Sequence, residues 1–352
     1  MSKNICFVLT LMESGGLQRN AALLADHFVK QGYSVSICCL YSTECFYKLD
    51  ERIKLLDFSS NKGKLSSIGF WKKKLRSYFI EEKIETVVSF GERCGVVASK
   101  AVKKLSINHI NRGVLTEKNF INKLLLNLNL KGINTFVFQT NAQKKLFNKR
   151  IQNKGVVIPN PFNLLNENIN IDGINSKRFI TIGMFSRLKQ KRQDLMVEAF
   201  SIFNKDHPDY KLEMYGKYSK EEYDYMLSII KKHDLEGKVF LMGESSNIKA
   251  SIIPSRAFLC ASISEGMPNA LIEALSYGIP VITSKWSGYD EIIEDEQNGL
   301  TFDMNNINQL VDSMNRIATD DVLFNKLSNN AISYRINNFS HEIVMKKWEE
   351  II

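Results

Sequence analysis

Short apolar runs recur along the chain, separated by stretches in which apolar residues return every third or fourth position. Runs of this length suit strands, and the intervening period suits amphipathic helices, so the pattern predicts parallel strands joined by crossover helices. In the first half the expected strands are residues 5–10, 34–40, 53–56, 86–90, 107–111, 135–139 and 156–159. The best-defined helix is 17–30, where Leu23, Leu24, His27, Phe28 and Gln31 share a face and Gly32 ends the pattern. Residues 160–177 hold Pro161, six Asn and one Gly without sustained periodicity, which reads as a linker. A second set of strands follows at 179–184, 211–215, 239–242, 257–260 and 281–283, and from residue 307 onward only helical patterns remain.

This predicts two Rossmann-like domains facing a cleft: 1–160, a linker at 161–177, 178–338, and a terminal helix at 339–352 that crosses back to the first domain. A chain of 352 residues is long enough for two cores. Hydrophobic residues at 44% and charged residues at 24% exclude the disordered and membrane-spanning classes. The six cysteines form no C-x-x-C pair and are expected as reduced core residues, which implies a reducing compartment. The apolar run 5–11 is followed by Glu13-Ser14-Gly15-Gly16 rather than a cleavage site, so a first strand and a cytoplasmic chain are expected.

The formal charge of +9 is unevenly spread. Residues 1–160 carry 26 Lys and Arg against 11 Asp and Glu, whereas residues 161–352 carry 21 against 27. Lys62, Lys64, Lys72, Lys73, Lys74 and Arg76 concentrate part of the excess, so the first half should be drawn to an anionic surface or acceptor. No nucleic-acid partner is expected.

The richest motif runs from Ser262 to Pro280. Pro268 suits a first helical turn, and Gly278 suits the position just past the last. The opening amides at Asn269, Ala270 and Leu271 form an anion site at the helix N-terminus, and Gly266 lets the backbone come close. Glu265 and Glu273 are eight residues apart, up to about 12 Å along a helix. That separation lets one carboxylate reach the hydroxyls of a sugar and the other those of a ribose, with phosphate between them. A second motif, from Ser186 to Asp194, holds basic residues that can stabilise charge on a departing diphosphate without a metal. Gly15 and Gly16 follow the first strand but do not form G-x-G-x-x-G. No Asp-x-Asp ends a strand, and residues 294–299 read as an exposed turn, so neither a metal nor another cofactor is expected.

Glu265-x7-Glu273, with Gly-Met-Pro-Asn-Ala-Leu-Ile-Glu-Ala inside it, resembles the retaining glycosyltransferases of family 4, which have the GT-B fold. The resemblance implies that Glu265 contacts the transferred hexose and Glu273 the nucleotide ribose, with Gly266, Met267, Pro268, Asn269, Ala270, Leu271 and Gly16 around the donor. It implies that Arg187 and Lys191 bind the diphosphate. The spacer before Lys191 is a residue shorter than in the family, which leaves Lys189 and Arg192 as alternatives. Gly15, Arg112 and His109 fall where the family lines the cleft; Arg112 is the better match, and His109 also suits a structural role. The implied activity moves a hexose or N-acetylhexosamine from a nucleotide diphosphate sugar, UDP-sugar favoured, to a glycan acceptor such as one linked to polyprenyl diphosphate. The setting would be surface-glycan synthesis at the inner face of an anionic membrane. Rival readings are a nucleotide-sugar epimerase or hydrolase of the same build, and a two-lobed sugar receptor.

Overall fold

The computed structural model describes residues 3–13, 15–60, 67–113, 130–161, 175–245 and 247–352. Most of the expected linker, together with Lys62 and Lys64, lies outside them. The chain divides into two compact units, Met1–Pro161 with His341–Ile352, and Phe162–Ser340.

The first unit contains β1 (Asn4–Leu9), β2 (Ser34–Cys39), β3 (Lys54–Asp57), β4 (Thr86–Phe90), β5 (Asn108–Arg112), β6 (Thr135–Phe138) and β7 (Gly155–Val157). They form one parallel sheet in the order β3-β2-β1-β4-β5-β6-β7. Both faces are covered, which is why β1 is apolar from Ile5 to Leu9 rather than alternating with polar residues. Ile5, Phe7 and Leu9 pack toward Leu24, Phe28 and Trp348 on one face. Cys6 and Val8 pack toward Trp71, Leu75 and Phe79 on the other. The terminal helix His341–Glu349 closes the first of these cores with Val344, Met345 and Trp348.

The second unit contains β8 (Arg178–Ile182), β9 (Lys211–Tyr215), β10 (Val239–Gly243), β11 (Ala257–Cys260), β12 (Val281–Ser284) and β13 (Gly299–Phe302). Its parallel sheet has the order β10-β9-β8-β11-β12-β13. The sequence pattern missed β13. It is four residues long, and the Asn298-Gly299 that opens it reads as an exposed turn. Asn298 is instead buried, its Nδ2 donating to Ile292 O and its Oδ1 accepting from Glu294 N.

All six cysteines are free. In each sheet the direction of winding reverses once, between β1 and β4 and between β8 and β11, and ligands of open parallel sheets bind at the carboxyl ends of the strands at such points.

Candidate functional site

At the second unit's reversal point the chain leaves β8 through Gly183, whose N–H donates to Tyr215 O at 2.9 Å. Gly216 supports this corner. A Cβ there would lie 2.0 Å from Gly183 O, so no larger residue fits while the corner keeps its place. A 3-10 turn, Phe185–Arg187, and a helical turn, Leu188–Lys191, follow. The turn is stitched to the loop after β11: Ile263 N donates to Gln190 O at 2.8 Å, and Gln190 Nε2 donates to Ser264 O at 2.7 Å.

That stitching brings the two sequence motifs together. Lys191 Nζ lies 2.6 Å from Glu265 Oε1, with side chains only 19% and 10% exposed. Burial disfavours the Lys191 ammonium, but the Glu265 carboxylate outweighs it and holds the lysine above its ordinary range. Burial raises the neighbouring Cys260 thiol, and the Glu265 charge adds to that. Lys191 therefore stays protonated at neutral pH and Cys260 stays a thiol.

The geometry also separates Lys191 from its neighbours. Lys189 is exposed. Arg192 adopts a left-handed conformation, φ 51°, and its Nε donates to Asp194 at 3.0 Å. Arg187 is exposed, close enough to Lys191 that its charge opposes the lysine's.

Lys191 lines a pocket of about 350 Å³, open mouth included, with Gly183, Gln193, Cys260, Ser262 and residues 268–271. Pro268 precedes the Asn269–Ser276 helix and supplies no side-chain cap, and the N-terminus of the helix lies at the pocket wall. The helix ends where Gly278, φ 72°, turns the chain and Ile279 N returns to Ala274 O. Glu273 is buried within it and Met267 packs into the apolar core beneath. Of the expected donor residues, Pro268, Asn269, Ala270 and Leu271 line the pocket, Glu265 is tied to its rim through Lys191, and Glu273 lies one turn further along the same helix.

Sequence reasoning missed Gln193. It is fully buried in the first turn of the Gln193–Phe203 helix and lines the pocket. Its Nε2 donates to Gly183 O at 3.4 Å, while its Oε1 has no partner. The signal was a polar residue at a position that helical spacing places with Met196, Val197 and Phe200 on the buried face.

In the first unit, Gly15 and Gly16 open the Gly16–Lys30 helix. Tyr47, also missed, clamps this loop: its hydroxyl accepts from Gly15 N at 2.8 Å and donates to Gly15 O at 2.7 Å. Arg112 ends β5, buried, with Nη2 donating to Asn160 Oδ1. His109 sits on the opposite face of that strand, and both of its nitrogens are engaged. Nδ1 lies 2.5 Å from Gly132 O and so donates, leaving Nε2 to accept from Ser89 Oγ at 2.8 Å. Burial pushes its pKa down to about 4. His109 therefore belongs to the scaffold and has no ring nitrogen left for a ligand.

Residues 166–334 match the family model described as glycosyl transferases group 1. The match spans just under half of the chain, and the two parallel sheets have the GT-B architecture. The matched span contains the Lys191–Glu265 pocket. The chain is 24% identical over its whole length to an uncharacterized glycosyltransferase of Haemophilus influenzae, which is also covered completely. It is 24% identical, over 99% of its length and 98% of the relative's, to the GalNAc-alpha-(1->4)-GalNAc-alpha-(1->3)-diNAcBac-PP-undecaprenol alpha-1,4-N-acetyl-D-galactosaminyltransferase of Campylobacter jejuni. Among solved structures it shares its fold with Anabaena HepE in complex with UDP and glucose, at a TM-score of 0.84 and 17% identity, covering 99% of this chain and 98% of that one.

Proposed function

We propose that the protein is a retaining, metal-independent glycosyltransferase that moves a hexose or N-acetylhexosamine from a UDP-sugar to a glycan carried on polyprenyl diphosphate. The observation that carries this reading is the Lys191–Glu265 pair at the rim of a pocket walled by a helix N-terminus. The helix amides and Lys191 favour a diphosphate, and Arg187 stands close enough to join them. Glu265 accepts from Lys191 with one oxygen, which leaves the other for a hydroxyl of the transferred sugar. Glu273 then serves the ribose.

In the reaction, the bond from the anomeric carbon to the diphosphate oxygen breaks and its electron pair leaves with the diphosphate. Lys191, Arg187 and the helix amides stabilise the charge that develops there. The acceptor hydroxyl attacks from the face the diphosphate leaves, and its proton passes to the departing phosphate oxygen. The Cys260 thiol in the pocket wall is buried and its pKa raised, so it is not poised as a nucleophile.

The relatives support the acceptor class. The Campylobacter jejuni enzyme acts, by its name, on an undecaprenol-linked glycan, as does the alpha-1,3-galactosyltransferase of Escherichia coli, 30% identical over 34% of this chain. A surface suited to such a substrate lies on the Ile68–Glu81 helix, where Lys72 and Lys73 are exposed beside Phe70 and Ile80. Lys103 and Lys104 are exposed nearby, on the turn whose Lys103 carbonyl accepts from Arg76. Basic residues flanking exposed apolar ones suit an anionic membrane face. Among the described residues no helix is long and apolar enough to cross a membrane.

The test is acceptor-dependent transfer. With an undecaprenyl-diphosphate-linked oligosaccharide and a panel of UDP-sugars, one sugar should move to the lipid with its anomeric configuration kept, in the presence of EDTA. Loss of the donor without acceptor would favour an epimerase or hydrolase, and an inert donor would favour a sugar receptor.

A further inference from the structure

One side chain in the wall of the second unit's pocket is polar, buried and only half used. Gln193 is 1% exposed and opens the Gln193–Phe203 helix. Met196, Val197 and Phe200, which share the buried face of that helix, all pack into the apolar core. An amide in such a place is costly unless both of its ends are hydrogen-bonded, and here one end is not. Nε2 donates to Gly183 O at 3.4 Å, near the outer limit of a hydrogen bond, while Oε1 has no partner. Among the described residues lining the pocket, no other side chain holds a buried nitrogen or oxygen without one.

The amide sits beside the charged pair. A Cβ built on Gly183 would lie 3.3 Å from Gln193 Nε2 and 3.5 Å from Lys191 Cδ, so the amide and the lysine stem lie side by side against that glycine. From there Lys191 reaches Glu265. Ser262 in the same wall is already engaged, its Oγ accepting from Cys260 Sγ at 3.7 Å. Lys191 and the N-terminus of the Asn269–Ser276 helix offer donors, which suit a diphosphate whose oxygens only accept at neutral pH. Gln193 Oε1 is itself an acceptor, so no phosphate oxygen satisfies it; it requires an O–H or an N–H.

We propose that Gln193 is a specificity-determining residue of this pocket: its Oε1 accepts a hydrogen bond from a hydroxyl of the nucleotide sugar, so that the pocket selects a diphosphate carrying hydroxyls over the bare anion. The loose hold on Gly183 O lets the amide turn about its last side-chain bond, a rotation with broad minima, and the missing Cβ of Gly183 leaves room for the turn. Sugar and ribose both offer such a hydroxyl. The inference rests on the transferase reading for the identity of the ligand and extends it from the charges of Lys191 and Glu265 to a neutral side chain that tells one diphosphate from another.

The experiment is calorimetry on the full chain with UDP-glucose, UDP-N-acetylglucosamine, UDP and inorganic pyrophosphate as probes, comparing the wild type with Gln193→Met, which keeps the length of the side chain and removes both polar atoms. The variant should bind the UDP-sugars about tenfold more weakly, the loss of one hydrogen bond, and pyrophosphate within about twofold of wild type. A loss shared by UDP assigns the hydroxyl to the ribose, and a loss confined to the UDP-sugars assigns it to the sugar. The melting temperature of the free chain should hold or rise, because a buried acceptor without a partner has gone. Should Gln193→Met not fold, Gln193→Asn, which keeps the amide but draws it back by a methylene, should show the same selective loss. Equal weakening of all the probes makes Gln193 part of the scaffold and overturns the proposal, as does unchanged affinity for UDP and both UDP-sugars. If the variant keeps its affinity in a chain that transfers sugar, the proposal fails and the transferase stands. If the wild type binds none of the UDP ligands, the donor reading fails and takes the proposal with it.

Discussion

Burial disfavours the Lys191 ammonium, which stays charged because Glu265 faces it at 2.6 Å. A donor diphosphate next to Lys191 would keep the lysine compensated while Glu265 turns an oxygen to the sugar, so the pair holds the pocket ready before the donor arrives. His109 shows the opposite use of a buried ionisable group. Its folded pKa of about 4 lies below the ordinary 6.5, so between those values the unfolded chain binds the proton better. Its contribution to stability is complete above pH 6.5 and is lost as the pH falls toward 4, by up to about 3 kcal/mol. Urea midpoints at pH 7, 5.5 and 4.5 should therefore fall more steeply for the wild type than for His109→Gln; parallel decline in the two would contradict this. The motif residues at the pocket were legible because chemistry and helix punctuation coincided there. Tyr47 was not, since a hydroxyl reaching across 32 residues leaves no periodic trace, and Gln193 showed only as a polar residue on the buried face of its helix.

Most elements were legible from apolar runs, because parallel strands covered on both faces are apolar throughout. The short Asn269–Ser276 helix was announced at both ends, by Pro268 and Gly278. β13 was hidden because an Asn that ties a turn from inside reads in sequence like one on the surface. The least legible feature was the corner between β8 and β9, where Gly216 supports Gly183 at a distance no sequence pattern encodes. Gly216→Ala should force that corner apart, destabilising the second unit by about 2 kcal/mol or more through overpacking and weakening UDP binding at least tenfold. Thermal unfolding and UDP titration check this together, and an unchanged melting temperature would show that the corner yields freely.

The charge asymmetry belongs to the whole molecule, and the structure refines its source. Lys74 Nζ donates to Asp57 O, and Arg76 donates to the carbonyls of Ala101 and Lys103, so both are held by the fold. Among the described residues of that cluster, Lys72 and Lys73 are exposed, and the proposed membrane contact falls to them. Substituting those two by Gln should lower co-sedimentation with anionic vesicles at low salt, with the wild type itself released at high salt as screening predicts; equal binding by the variant would place the contact elsewhere. The central claim is that the second unit's pocket holds a UDP-sugar and that Glu265 directs its sugar in the reaction. It is tested most directly by comparing sugar transfer and UDP binding in Glu265→Gln. The account predicts UDP affinity within about threefold of wild type and transfer reduced on the order of 100-fold, because the glutamine keeps the shape but loses the charged acceptor facing the sugar. Transfer within a few-fold of wild type, with UDP bound normally, would contradict it.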